Sequence, residues 1–152
     1  MGNPIKKFLI KLIIEEAIRF EERSYSYYES LLQSTVMKES IILLKKLLAG
    51  ELSHRLRLVE IQSSGNLGFL QIPEDTEIEG FEEVSKRWPL LEPLSTKEEI
   101  FEAALMKEKS AHNFYRTLST KAHIKTVAQL FNALAIEELE HVKWIEDEMT
   151  GK

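Results

Sequence analysis

Hydrophobic residues recur every three or four positions through four long stretches of this chain, a spacing that predicts amphipathic helices. Pro4 suits the first turn of the first helix. The Ser-Thr-Lys-Glu sequence from Ser95 to Glu98 has the pattern of a capping box, which favours a helix start there. The predicted helices cover residues 4–34, 37–63, 96–120 and 124–149.

Residues 64–95 interrupt this pattern and separate the first two predicted helices from the last two. Connections of this length are uncommon in compact domains, so we interpret the segment as a crossover with a short helix from Glu79 to Trp88 packed on the bundle. The sequence therefore predicts an all-α fold, a single domain over residues 1–152 made of two helical hairpins joined by a long crossover. The glycines and prolines of the crossover are Gly65, Gly68, Pro73, Gly80, Pro89 and Pro93.

Composition narrows the classes of function. The net charge is −5 without a basic block, which argues against nucleic acid as a partner. No apolar run approaches the length that spans a bilayer, and Met1 to Leu12 mix lysines into the apolar positions, which favours a first helix over a signal peptide. We therefore expect a cytoplasmic protein with no membrane partner. The absence of cysteine leaves Glu, Asp and His as the ligands of any metal site.

Charged residues interrupt the apolar stripes at a few places. Glu51 and His54 share a Glu-x-x-His spacing, which recurs at Glu138 and His141. Residues three apart lie on one face of a helix, and a carboxylate beside an imidazole on a buried face is costly unless something binds them. Carboxylate oxygen and imidazole nitrogen together suit iron or manganese. These pairs therefore indicate a metal site.

Two further glutamates fall within the apolar stripes of the first and third helices. Each precedes a Glu-x-x-His pair by 30 residues, because Glu21 stands before Glu51 and Glu108 before Glu138. An offset of 87 residues superposes the two halves, which predicts two hairpins related by a pseudo-twofold axis. The offset maps Glu21, Tyr28, Glu51 and His54 onto Glu108, Tyr115, Glu138 and His141.

Four carboxylates and two imidazoles are too many for one zinc ion. They suit two divalent ions, each with one histidine and one terminal glutamate, with two glutamates bridging and the charges balanced. Tyr28 and Tyr115 are expected to donate hydrogen bonds to ligand carboxylates, and His112 is expected to border the site. The predicted ligands are Glu21, Glu51, His54, Glu108, Glu138 and His141.

With these motifs, essentially the whole chain resembles the ferritin-like superfamily, and within it the rubrerythrin-like di-iron carboxylate proteins. The resemblance implies a ferritin-like four-helix bundle whose two iron ions react with peroxide or oxygen, using electrons from a partner. Typical rubrerythrins also carry a rubredoxin domain with four cysteines, so the resemblance implies that a separate protein would donate electrons here. They carry a further glutamate where this chain has Ala111, which makes the site closer to the six-ligand type of bacterioferritin.

The residues leave several alternatives open. The chain is interpreted as a di-iron oxidoreductase, either a peroxide reductase or a ferroxidase. The alternatives are a non-catalytic metal-binding protein, acting as an iron buffer or as a structural di-metal bundle, and a manganese catalase-like enzyme. The alternative metal content is manganese, or a mixed iron and zinc pair, in place of two irons. We also expect a homodimer.

Overall fold

The computed structural model describes residues 4–63, 88–121 and 125–151 of the chain. These residues form four α-helices and no β-strand, an all-α four-helix bundle as the hydrophobic pattern predicts. Each helix end lies within one residue of its predicted position. None of the described helices is both long and apolar enough to cross a membrane. The helices are α1 (Pro4–Gln33), α2 (Lys38–Ser63), α3 (Lys97–Lys121) and α4 (Lys125–Thr150).

Some predictions fall on residues that the structure does not describe. The predicted short helix lies outside the described residues, apart from Trp88, and so does most of the predicted crossover. The extent of a single domain over residues 1–152 stays a prediction.

The four helices are arranged as two hairpins, because α1 packs mainly against α2 and α3 mainly against α4. The turn between α1 and α2 is closed by the backbone N–H of Ser34, which donates to the carbonyl of Leu31 at 3.0 Å. The backbone N–H of Ser95 donates to the carbonyl of Ser34 at 2.8 Å. This contact ties the segment before α3 to the first hairpin.

The capping box of α3 lies one residue later than predicted. The backbone N–H of Thr96 donates to the Glu99 carboxylate at 3.0 Å, and the backbone N–H of Glu99 donates to the Thr96 hydroxyl at 3.1 Å. The predicted box from Ser95 to Glu98 is therefore wrong by one position. Ser95 donates its hydroxyl to the carbonyl of Glu92 instead. An N-cap of this kind stabilises a helix by about 1 kcal/mol.

An aromatic cluster joins the two hairpins. The fully buried Phe20 ring packs edge-on against Trp88, with ring centroids 5.3 Å apart, and stacks on Phe114 at 6.3 Å. The indole N–H of Trp88 donates to the Ser110 hydroxyl at 3.1 Å. Trp88 therefore packs on the bundle, as the sequence predicts, and fixes the chain before α3 against both α1 and α3.

The buried face of α1 is wider than the predicted stripe. The helical spacing of α1 predicts that Tyr25 points inward, but Tyr25 is 39% exposed, whereas Phe20 and Tyr27, which lie off the predicted stripe, are buried. The reason is that α1 is covered on two sides, by α2 and by the cluster around Trp88. The buried face therefore turns away from Tyr25 and still includes Glu21 at its centre.

Candidate metal centre

The six predicted ligands lie together in the centre of the bundle, and all six side chains are buried. Their oxygen and nitrogen atoms form two groups of four, and within each group the atoms lie within 4.8 Å of one another. Two glutamates, Glu51 and Glu138, belong to both groups. One group is Glu21, Glu51, His54 and Glu138, and the other is Glu51, Glu108, Glu138 and His141.

Both histidines turn the same ring nitrogen toward the carboxylates. Nδ1 of His54 lies 2.8 Å from a Glu138 oxygen and 3.6 Å from a Glu21 oxygen. Nδ1 of His141 lies 3.4 Å from a Glu108 oxygen and 3.8 Å from the other Glu138 oxygen. The two imidazole rings are nearly parallel, with centroids 5.7 Å apart. The two halves of the site therefore face each other across Glu138.

Among the described side chains, the buried polar atoms without a hydrogen-bond partner are concentrated here. They include one oxygen each of Glu21, Glu51 and Glu108, both oxygens of Glu138, and Nδ1 of His54 and His141. Buried polar atoms without partners are rare and costly. Carboxylate oxygens and imidazole nitrogens gathered at this spacing are the donor set of a carboxylate-rich transition-metal site. The residues therefore fit a pair of metal ions.

The pKa shifts within the metal-free cluster also favour a metal site. Burial raises the pKa of Glu21 and of Glu138 well above the usual range of a carboxyl group. Burial opposes ionisation of Glu108 too, but the Lys107 ammonium, Glu138 and His141 together outweigh it, and the pKa of Glu108 lies well below its usual range. Burial lowers the pKa of His54 to about 4. The His54 imidazole is therefore neutral at neutral pH, the form that binds metals.

Two tyrosines hold the terminal glutamates across the hairpins. The Tyr28 hydroxyl on α1 donates to Glu108 on α3 at 2.5 Å, and the Tyr115 hydroxyl on α3 donates to Glu21 on α1. The offset of 87 residues exchanges these two contacts, which is the relationship expected of a pseudo-twofold. Burial raises the pKa of both hydroxyls well above the usual value, so that both keep their protons and act as donors.

Lys107 is a buried residue of the site that the sequence analysis missed. Its side chain is fully buried, with Nζ 2.7 Å from a Glu51 oxygen and 3.7 Å from a Glu108 oxygen. Burial alone would lower its pKa, but the attraction of the surrounding carboxylates raises it above the usual value. One signal was present, since Lys107 lies seven residues from both Ile100 and Phe114, which are buried on α3.

The comparison with protein families agrees with this geometry. The family model for rubrerythrin matches residues 99–151, which span most of α3 and all of α4. This range contains Glu108 and the pair Glu138 and His141, so it supplies three of the six clustered ligands with their spacing. Residues 99–151 are therefore similar to rubrerythrin.

The family match covers nearly all of the second hairpin, and the offset of 87 residues relates that hairpin to the first. Glu21, Glu51 and His54 on the first hairpin complete the cluster at matching depth. Searches of curated proteins and of solved structures found no match to the chain.

The far sides of the two imidazoles of the cluster have different neighbours. Nε2 of His54 lies 3.7 Å from a carboxylate oxygen of Glu137, and Glu137 is itself paired with the guanidinium of Arg57. A carboxylate behind a ligating histidine orients the ring and increases its basicity. The helical spacing predicts that Arg57 faces water and that Glu137 lies off the inward face, whereas the structure shows the two as a pair beside His54.

The His141 ring lies against the α2 backbone. A Cβ atom built on Gly50 would be 2.5 Å from Cε1 and 2.8 Å from Nε2 of His141, closer than real contacts allow. The Trp144 ring covers another side of the imidazole at a centroid distance of 4.8 Å, and Nζ of Lys46 lies 3.7 Å from the centre of the indole. Gly50 is therefore in the middle of a helix because His141 needs the space.

The sequence contains two further histidines, His112 and His123, of which the structure describes His112. Nδ1 of His112 donates to the backbone carbonyl of Ala135 at 2.8 Å, so the contact found for this residue is with the α4 backbone. A role for His112 beside the ligands stays a prediction. His123, expected in a turn, lies outside the described residues.

A surface cleft of about 300 Å³ between α1 and α2 is lined in part by two of the clustered glutamates. Nε of Arg55 donates to the Glu22 carboxylate at 3.2 Å, and both side chains are partly exposed. The cleft therefore connects a charged surface pair with the oxygen side of the cluster. Its lining residues are Glu21, Glu22, Tyr25, Ser26, Glu51, Leu52 and Arg55.

Proposed function

We propose that the rubrerythrin-like chain holds two iron ions and is an oxidoreductase that reacts with peroxide or oxygen. The observation that carries this proposal is the pair of buried four-residue groups, each with three carboxylates and one imidazole. This donor set suits iron or manganese, and four carboxylates balance the charge of two divalent ions. Manganese, or a mixed iron and zinc pair, is the alternative metal content.

Each residue of the cluster has a role in this proposal. Glu21 and His54 would hold one ion, and Glu108 and His141 would hold the other. The two glutamates common to both groups, Glu51 and Glu138, would bridge the ions. Carboxylates bind a metal through one or both oxygens, so the bridging pair is suited to follow a change in metal charge.

Tyr28 and Tyr115 would keep the terminal glutamates in place during the reaction. Both hydroxyls stay protonated, because burial raises their pKa values, and a hydroxyl that keeps its proton goes on donating to its carboxylate. The buried tyrosines therefore orient the ligands and do not act as bases. A bound pair of ferrous ions would supply two electrons to hydrogen peroxide, which with two protons gives two molecules of water.

The cleft between α1 and α2 is the proposed access route for the oxidant. It is lined by Glu21 and Glu51 at its inner side and by the Glu22–Arg55 pair at the surface. A small molecule such as peroxide or oxygen fits such an opening. These 152 residues contain no cysteine, so the ligands of an iron–thiolate electron donor would lie outside them. A homodimer also stays a proposal.

A ferroxidase that oxidises iron and releases it is the second candidate. The Glu22 carboxylate at the surface of the cleft favours it, because Glu22, Glu21 and Glu51 together would offer oxygen ligands to an incoming ferrous ion. In this case the same centre would treat iron as a substrate. The ferroxidase would release its ions after oxidation, whereas the oxidoreductase proposed first would keep them bound.

The test is anaerobic reconstitution with ferrous ion, followed by stopped-flow mixing with peroxide and, separately, with oxygen. We expect the parent chain to be oxidised faster than free ferrous ion and to keep its metal. Glu138→Gln removes a shared ligand and should abolish the reaction, whereas Glu140→Gln changes an exposed residue of the same helix and should not. Rates equal to that of free ferrous ion would refute the enzyme, and release of ferric ion during turnover would favour the ferroxidase.

A further inference from the structure

A lysine inside a carboxylate-rich cluster is the feature that the proposed function does not use. Lys107 is fully buried, and its Nζ lies 2.7 Å from Glu51 and 3.7 Å from Glu108. Its remaining surroundings are aromatic, with Nζ between 5.0 and 5.7 Å from the ring centres of Tyr28, Phe20 and Trp88. Because the ammonium is fully buried, the carboxylates are its counter-charges.

The Lys107 ammonium contacts more carboxylates of one group of predicted ligands than of the other. Lys107 contacts both Glu51 and Glu108 in the group that contains His141, but only Glu51 in the group that contains His54. A metal ion bound beside His141 must therefore share two of its carboxylates with a cation and is repelled by it. Under the repeat, the residue equivalent to Lys107 is Phe20, which brings no charge to the other position.

The imidazoles reinforce this difference. Nε2 of His54 faces the Glu137 carboxylate, whereas Nε2 of His141 faces the backbone at Gly50. A carboxylate behind a ligating histidine strengthens it as a donor, and losing such a partner costs about 10–100-fold in metal affinity. Both observations favour the same position, the one formed by Glu21 and His54.

We propose that the two metal positions are unequal, and that Lys107 makes the Glu108–His141 position the weaker and more exchangeable one. The first divalent ion binds beside His54, and the Lys107 ammonium then supplies part of the positive charge that the second ion would bring. Binding of the second ion would therefore displace the Lys107 ammonium from Glu51. This inference rests on the proposed two-metal centre and predicts which half of it exchanges metal.

The first test is calorimetric titration of the metal-free chain with cobalt(II), which measures binding independently of any reaction. We expect two steps that differ by about tenfold or more in dissociation constant. Lys107→Met should tighten the second step by about tenfold and the first step by less, because Lys107 contacts two carboxylates of the His141 group and one of the His54 group. The matched control is Lys109→Met, an exposed lysine two positions along the same helix, which should behave as the parent.

The complementary variant is Glu137→Gln, which should weaken the first step only, with the exposed Glu140 changed to glutamine as its control. Two equal steps in the parent, or a second step that Lys107→Met does not tighten, would overturn the inference. Failure of the chain to bind cobalt at either position would instead refute the proposed metal centre, so the two failures are distinguishable.

The second test does not depend on the variants being folded. Crystals of the parent chain prepared with one equivalent of cobalt(II) are measured at the cobalt absorption edge. We expect one anomalous peak between His54 and Glu21. A peak of equal height beside His141 and Glu108, or a peak at that position alone, would show that Lys107 does not rank the two positions.

Discussion

Gly50 leaves no room for a side chain beside His141. A Cβ atom at this position would lie 2.5 Å from Cε1 and 2.8 Å from Nε2 of the imidazole. In an ordinary helix interior, Gly→Ala stabilises by about 1 kcal/mol. For Gly50→Ala we expect weaker metal binding, because the added methyl group must push the His141 ring away from its carboxylates.

The expected change is a loss of about 10–100-fold in metal affinity, confined to the step that involves His141 and measured by titration calorimetry. Ser53→Ala, on an exposed side of the same helix, is the control. Unchanged binding of both ions by Gly50→Ala would show that the close approach has no role in positioning His141.

The two buried tyrosines give a second prediction. Tyr28→Phe removes the hydroxyl that donates to Glu108 at 2.5 Å and leaves a buried carboxylate oxygen without that donor. A hydrogen bond to a charged group contributes about 1.5–3 kcal/mol. We expect the free energy of unfolding of Tyr28→Phe, measured in urea, to fall by that amount.

Tyr115→Phe should also be less stable than the parent, because its hydroxyl donates to Glu21, but the loss should be smaller, since the raised pKa of Glu21 favours its neutral form and the lowered pKa of Glu108 favours its charged form. Tyr25→Phe removes a hydroxyl from an exposed tyrosine of α1 and should have little effect. Equal stability of all three variants would contradict a structural role for the two buried hydrogen bonds.

The stability of the metal-free chain should depend on pH through the buried carboxyl groups. Burial raises the pKa of Glu138 in the folded state above the ordinary value of 4.5. The folded state therefore holds a proton that the unfolded state has released, so this contribution to stability is complete below pH 4.5 and is lost as the pH rises through the folded-state pKa. Glu21 contributes with the same sign.

His54 has the opposite sign. Its pKa is lowered from 6.5 to about 4 in the folded state, so its contribution is complete above pH 6.5 and is lost as the pH falls toward 4. To isolate the carboxyl effect, we compare the parent with Glu138→Gln in the presence of a chelator. The variant should be the more stable of the two at pH 8, by about 1 kcal/mol, and this advantage should shrink toward pH 5.

The exposed Glu140→Gln is the control for this comparison, and it should follow the parent at every pH. With metal added, the parent should instead be more stable than Glu138→Gln, because the amide of the variant does not serve as a shared ligand. A metal-free Glu138→Gln that is less stable than the parent at pH 8 would show that the buried carboxyl groups do not repel one another.

The cleft between α1 and α2 predicts how the oxidant reaches the centre. Leu52 lines this cleft and is 45% exposed, and its equivalent under the repeat, Leu139, is 51% exposed. Leu52→Trp should narrow the opening and slow oxidation by peroxide by about tenfold, which is about 1.4 kcal/mol in the barrier, with metal affinity unchanged. Leu139→Trp is the matched control, and equal slowing by both variants would argue against this route.

The sequence predicted the helices and the six clustered residues because both follow from local periodicity. Helical spacing places Glu21, Glu51, Glu108 and Glu138 on inward faces, and the repeat brings them to matching depth. Lys107 was missed because a lysine is rarely fully buried, and only its contacts with carboxylates from another helix make burial favourable.

Pairs between distant residues explain the other differences. Arg57 was expected to face water, but Glu137 lies beside it on a helix 80 positions away in the chain. Tyr25 was expected to be buried, but the aromatic cluster turns the buried face of α1 toward Phe20 and away from it. In both cases the spacing within one helix does not show which neighbour a side chain will meet.

The most direct test of the account is the metal content of the core. The chain is reconstituted anaerobically with ferrous ion, analysed for bound iron and crystallised, and anomalous scattering is measured at the iron edge. The account predicts two ions about 3.5–4 Å apart, one next to Glu21 and His54 and the other next to Glu108 and His141, with Glu51 and Glu138 between them. Iron bound only at the surface, or those six side chains in contact with no ion, would contradict it.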